Sequence, residues 1–177
     1  MNPNFRRSLL LAALAATMAG CATTGEGPAA LSGSDLPYSA ADYDRIRKID
    51  VHVHANIYDP SFLALARDNR FQVLSINVDY PDFPSLDTQA DVAHRYFADD
   101  PGLFQFATTF SMDGFETPGW SARTNAHIDK ELAAGAIGVK VWKNIGMVER
   151  NRAGELIMLD DPGFDAVMAH IEQRGVP

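Results

Sequence analysis

From position 49 onward the chain alternates between two kinds of segment. Short apolar runs rich in β-favouring residues lie at 49–53, 71–78, 103–110 and 136–142. The segments between them carry helical spacing and helix boundary signals. Pro60 opens a helix over 61–69, and a second over 86–98 is ended by Asp99-Asp100-Pro101-Gly102. A third over 121–134 closes at Gly135. Asp161-Pro162 opens a fourth, with Phe164, Val167, Met168 and Ile171 on one face. Gly175-Val176-Pro177 reads as the start of a further strand. Strand and helix recurring at intervals of about thirty residues predict parallel βαβ units. Four units precede that further strand, whereas a complete (β/α)8 barrel takes about 250 residues. The α/β pattern therefore predicts the N-terminal half of a (β/α)8 TIM-type barrel, truncated before strand 5, with a smaller open sheet as the alternative.

Strands covered on both faces should be almost continuously hydrophobic, and these are not. In the first, Ile49, Val51 and Val53 alternate with Asp50, His52 and His54. In the second, Leu74, Ile76 and Val78 alternate with Ser75, Asn77 and Asp79. The third sets Phe104, Phe106 and Phe110 against Gln105, Ala107 and Thr109. The fourth sets Val139 and Val141 against Gly138, Lys140 and Trp142. Because side chains alternate with period two, one face of each strand is bulky and suited to packing beneath helices. The opposite face is polar or small, and its chemical groups gather toward the carboxyl end, where parallel α/β folds place their sites.

Asp50-Val51-His52-Val53-His54 carries the most chemistry. Two imidazoles and a carboxylate buried without partners would cost several kcal/mol, and a divalent cation bound by neutral imidazole removes that cost. Ligands two apart on one strand face can reach the same ion. His94, His127 and His170 fall within helical segments, without a partner at ligand spacing, and read as surface or packing residues.

Lys48-Ile49-Asp50-Val51-His52-Val53-His54 resembles the first-strand metal motif of the amidohydrolase superfamily, in particular its amidohydrolase-related branch. The stretch Gly138-Val139-Lys140-Val141-Trp142-Lys143-Asn144-Ile145-Gly146 is similar to the fourth-strand segment of that branch. The resemblance spans 46–177. It implies one or two divalent ions, zinc by preference, with His52 and His54 as ligands. Lys140 corresponds to a fourth-strand lysine that bridges two ions as its carbamate in two-metal members; in one-metal members it would be a neutral or ion-paired pocket lysine, and both readings stand. Asp50 would orient a histidine from outside the ligand shell, while Asn77 and Trp142 would line the substrate pocket. The family pattern also calls for later histidines and a general-base aspartate, expected beyond residue 177. On this reading the chain is an incomplete piece, or a truncated product, of a metal-dependent hydrolase acting on a lactone, amide or ester through activated water. A non-oxidative decarboxylase of the same superfamily and a non-catalytic metal- or ligand-binding lipoprotein are the alternatives.

Composition and the N-terminus complete the picture. A formal charge of −8, made more negative by two if Arg6 and Arg7 are removed, leaves little Lys and Arg to meet phosphates, so nucleic acid is an unsuitable partner. Arg6-Arg7, the apolar run 9–16 and Met18-Ala19-Gly20-Cys21 have the parts of a secretory signal peptide over 1–20. That stretch resembles the bacterial lipobox, in which Cys21 becomes lipidated; a plain signal peptide or twin-arginine export remains open. Residues 21–40, rich in Gly, Ala, Ser and Thr, read as a flexible tether to a domain at 41–177. The expected location is the periplasm or cell envelope, held by lipid on Cys21 alone and at the outer membrane in preference to the inner, with a small molecule as the partner.

Overall fold

The computed structural model describes residues 38–177, so the signal peptide, Cys21 and nearly all of the tether lie outside the described residues. Ala41–Pro177 forms one compact unit, which holds the secondary structure that follows. In order it contains β1 (Lys48–Val53), α1 (Pro60–Asp68), β2 (Phe71–Ile76), α2 (Leu86–Asp99), β3 (Phe104–Ala107), α3 (Trp120–Ala133), a 3-10 turn at Pro162–Phe164 and α4 (Asp165–Arg174). The strands form one parallel sheet in the order β1-β2-β3. Among the described residues no helix is long and apolar enough to cross a membrane.

Local chemistry explains most boundaries. Asp59 caps α1 through Oδ1, which accepts from Ser61 N at 2.9 Å, and Pro60 sits in the first turn, where its missing N–H costs nothing. Ser85 caps α2 by accepting from Thr88 N at 3.2 Å. Gly175, in the left-handed region at φ 67°, ends α4. At Gly135, φ is 111° and the Phe97 ring occupies the space a Cβ would need, so glycine is required where α3 turns back toward the sheet.

The predicted half barrel does not form; the sheet has three strands and is open. The fourth predicted strand, 136–142, is not a strand; it follows the end of β3 through a few backbone bonds and the isolated Thr108–Val139 bridge. Ile137 N donates to Phe106 O, Thr108 N to Gly138 O and Lys140 N to Thr108 O. The Thr109 hydroxyl then donates to Lys140 O at 2.6 Å, occupying the carbonyl that the next rung of the ladder would use. A side chain also ends β2. The Gln89 amide of α2 donates to Val78 O at 2.9 Å, and its oxygen accepts from Val78 N at 3.0 Å, so Val78 bonds to a helix side chain where a strand partner was expected. Gly175-Val176-Pro177 does not form a strand, although Val139 N donates to Pro177 O at 2.9 Å.

The apolar face expected beneath the helices is buried on β3 and only partly on β2, where Leu74 is half-buried and Val73, on the opposite face with the buried Ser75, packs in the core beneath the helices; on β1 it is exposed. Val73, Ile76, Phe104 and Phe106 are buried, whereas Ile49 is 59% and Val51 62% exposed. Ile49 and Val51 join neither core, and β1, at one edge of the sheet, bonds only to β2, with its register shifting between Asp50 and Val53. One core joins Leu63 and Ala66 of α1, Val92, Ala93 and Tyr96 of α2, and the sheet residues Val73, Phe104 and Phe106. Tyr96 is buried with its hydroxyl satisfied, accepting from Asp59 N at 2.7 Å beside Ile57 O and Asp59 O. A second core joins Phe110, Trp120, Ile128, Phe164 and Val167, which fixes α3 and α4 against the end of β3.

A carboxylate on α3 clamps α4. Asp129 accepts from His170 Nε2 at 2.8 Å and from Arg174 at 2.7 Å. Arg174 first, and then His170, hold its carboxyl below the usual aspartate range. A carboxyl depressed in the folded state stabilises the fold above its unfolded pKa, and that contribution disappears as pH falls through the folded value. Asp129→Asn is therefore expected to lower stability at neutral pH slightly and to flatten the acid limb below the aspartate range. Circular dichroism of acid titrations of both proteins measures this; superimposable acid limbs would contradict it.

Candidate functional site

The carboxyl end of β1 brings two imidazoles together. The His52 and His54 rings lie 5.1 Å apart, centre to centre, with their planes at 83°. His54 follows the last β1 residue and is half-buried, while His52 is exposed. His54 Nδ1 lies 2.9 Å from Ile76 O of the neighbouring strand. A carbonyl can only accept, so Nδ1 carries the proton and the lone pair is left on Nε2. Metal-binding histidines are commonly held in this way, with one ring nitrogen donating to a carbonyl and the other free to ligate.

Two rings then enclose His54. Phe83 packs edge-on at 5.0 Å and Trp142 at 5.9 Å, with Phe83 and Trp142 themselves 6.5 Å apart. The Trp142 indole N–H is buried without an acceptor. Phe83 carries little signal in the sequence. It lies in Tyr80-Pro81-Asp82-Phe83-Pro84, and an aromatic between two prolines after a strand was the only available signal.

The remaining candidates fall around this pair. Asp50 Oδ1 accepts from the main-chain N–H of His52 at 3.1 Å, so its hold on His52 runs through the backbone and not the ring. Asn77, on the residue after Ile76, is 4% exposed; its N–H donates to Ala107 O and its side-chain amide makes no hydrogen bond. Lys140 is half-buried and fixed to Thr108 and Thr109 through its backbone, while its ammonium forms no ion pair. The other histidines have partners: His94 bonds Glu131, His127 the Thr109 carbonyl, and His170 Asp129.

An ion about 2.0–2.1 Å from each of two imidazole nitrogens in tetrahedral array sets the ring centres on the order of 5 Å apart. The His52–His54 spacing fits two ligand positions on that basis. Among the described residues no group of three or more His, Cys, Asp or Glu side chains is placed to hold a metal ion. Water, substrate or Lys140 would have to complete the coordination. Comparison of the chain with protein-family models, with curated proteins and with solved structures finds no match.

Proposed function

We propose that the chain acts as a metal-dependent hydrolase of the amidohydrolase type, with His52 and His54 holding a divalent ion, zinc by donor chemistry, and a lactone, amide or ester as substrate. The observation that carries this reading is the bond from His54 Nδ1 to Ile76 O, which leaves Nε2 as a free, oriented lone pair beside the His52 ring. When bound there, a divalent ion would lower the pKa of water and polarise a carbonyl. The chain's own groups do the rest. Phe83 and Trp142 shield His54 from bulk water and offer ring faces to an apolar part of the substrate. The half-buried Lys140 supplies a positive charge for the acid that hydrolysis releases.

Zinc titration of the full chain, followed by assay against a simple lactone, an aryl ester and an amide, tests the proposal. The expected result is zinc uptake and zinc-dependent release of the corresponding acid. Equal zinc uptake by the chain and by a His52→Ala/His54→Ala double variant would overturn the metal site. A zinc-loaded protein that turns over none of the three substrates, or that releases carbon dioxide from an aryl acid in their place, would overturn the hydrolase.

A further inference from the structure

A cavity of about 400 Å³ opens beyond the carboxyl ends of β2 and β3, between the first turns of α2 and α3. None of its lining residues belongs to the His52–His54 site. Its walls are built by specific bonds. Asp79 Oδ2 accepts from Met112 N at 3.0 Å, and the Trp120 indole N–H donates to Ser111 O at 3.0 Å, leaving the ring as an apolar wall.

The charges in this cavity are mixed and unspent. Asp79, Asp87 and Asp113 supply three carboxylates, and Asp87 and Asp113 form no ion pair among the described residues. These carboxylates do not form a group placed to hold a metal ion. Arg123, one turn into α3, reaches only neutral acceptors, Thr117 Oγ1 at 3.4 Å and Pro118 O at 3.5 Å, and so keeps its charge available. The first turn of α3 has no side-chain cap, because Gly119 stands at the capping position. Thr124 also lines the cavity. Among the described residues its hydroxyl has no hydrogen-bond partner, and it opens onto the cavity.

A simple anion would be repelled by three carboxylates, and a simple cation would leave the Arg123 charge unmatched. A molecule carrying both charges satisfies both sides. We propose that this cavity binds a small zwitterion, a free α-amino acid with an apolar side chain. Its carboxylate would meet Arg123, the Thr124 hydroxyl and the open turn of α3. Its ammonium would face Asp79 and the neighbouring aspartates, and its side chain the Trp120 ring. The volume falls within the range of small-molecule sites, about 300–1,000 Å³, with room for one amino acid and none for a folded partner.

Calorimetric titration of the full chain with L-leucine, N-acetyl-L-leucine and L-leucinamide tests this. L-leucine is expected to bind with a dissociation constant of about 1 mM or better. Each blocked form, lacking one charge, should bind at least about tenfold more weakly. Arg123→Gln, an exposed replacement that leaves the packing intact, should weaken leucine by a similar factor and abolish the penalty on leucinamide. Equal binding of all three compounds, no binding of leucine at about 10 mM, or an Arg123→Gln protein that still discriminates against leucinamide would overturn the proposal.

Discussion

Zinc affinity is expected to fall by more than about 100-fold in His54→Ala, and zinc-dependent hydrolysis with it. Loss of a group that merely orients a ligand costs about 10–100-fold, and His54 would be a ligand. Its Nδ1 is committed to Ile76 O, so Nε2 points one way only, and no other imidazole can replace it at 5.1 Å from His52. His52→Ala should act comparably on zinc but disturb the fold less, because His52 is exposed and His54 is packed between Phe83 and Trp142. Lys140→Ala distinguishes one ion from two: a bridging carbamate would show as lost metal stoichiometry, a pocket lysine as weaker substrate binding at constant stoichiometry. Elemental analysis of the purified variants, with circular dichroism to verify folding, gives the answer. Full metal content in both histidine variants would remove the basis of the site.

The second large effect lies away from that site. His94→Ala is expected to destabilise the protein by about 3 kcal/mol, read as a lower urea midpoint. Glu131 of α3 is fully buried, and its Oε2 accepts from His94 Nε2 of α2 at 2.9 Å. Its other oxygen makes no hydrogen bond and has only the Lys130 ammonium at 3.5 Å. Removing His94 strands a carboxylate inside the protein, and breaking one side of such a pair costs more than the pair contributes. The double variant His94→Leu/Glu131→Leu should recover most of the loss, since apolar replacement of both partners is often neutral. A single variant as stable as the parent, or a double variant less stable than the single, would show that this contact does not hold α2 to α3.

The alternation of bulky and small residues locates all three strands, but it assigns faces only in part, since Leu74 is half-buried while Val73 and Ser75 are buried. Helix starts were legible for a local reason: Asp59-Pro60 and Ser85 act on backbone groups within a few residues of themselves. What could not be read depends on partners distant in sequence. The ends of β2 and of the sheet are set by the Gln89 amide and the Thr109 hydroxyl, each taking a backbone group that periodicity assigns to a strand. Ile49 and Val51 read like any buried strand residues, since alternation cannot tell a face that a core covers from one left bare. The adjacency of His52 and His54 follows from period two. The Phe83 ring against His54 depends on the path of a proline-flanked loop, and the isolation of Arg123 on the absence of an acid from another element.

The Gln89 bond has a consequence for motion. Gln89 sits in the first turn of α2, and Val78, whose N–H and C=O it holds, immediately precedes Asp79 in the cavity wall. If that turn frays, Val78 loses both partners at once and Asp79 is released from its rigid neighbour. The amide protons of Val78 and of the first turn of α2 thus open to solvent in one event, with one free energy. Anything that ties down the Asp79 wall slows exchange at the start of the helix, and anything that loosens the helix start blurs the wall.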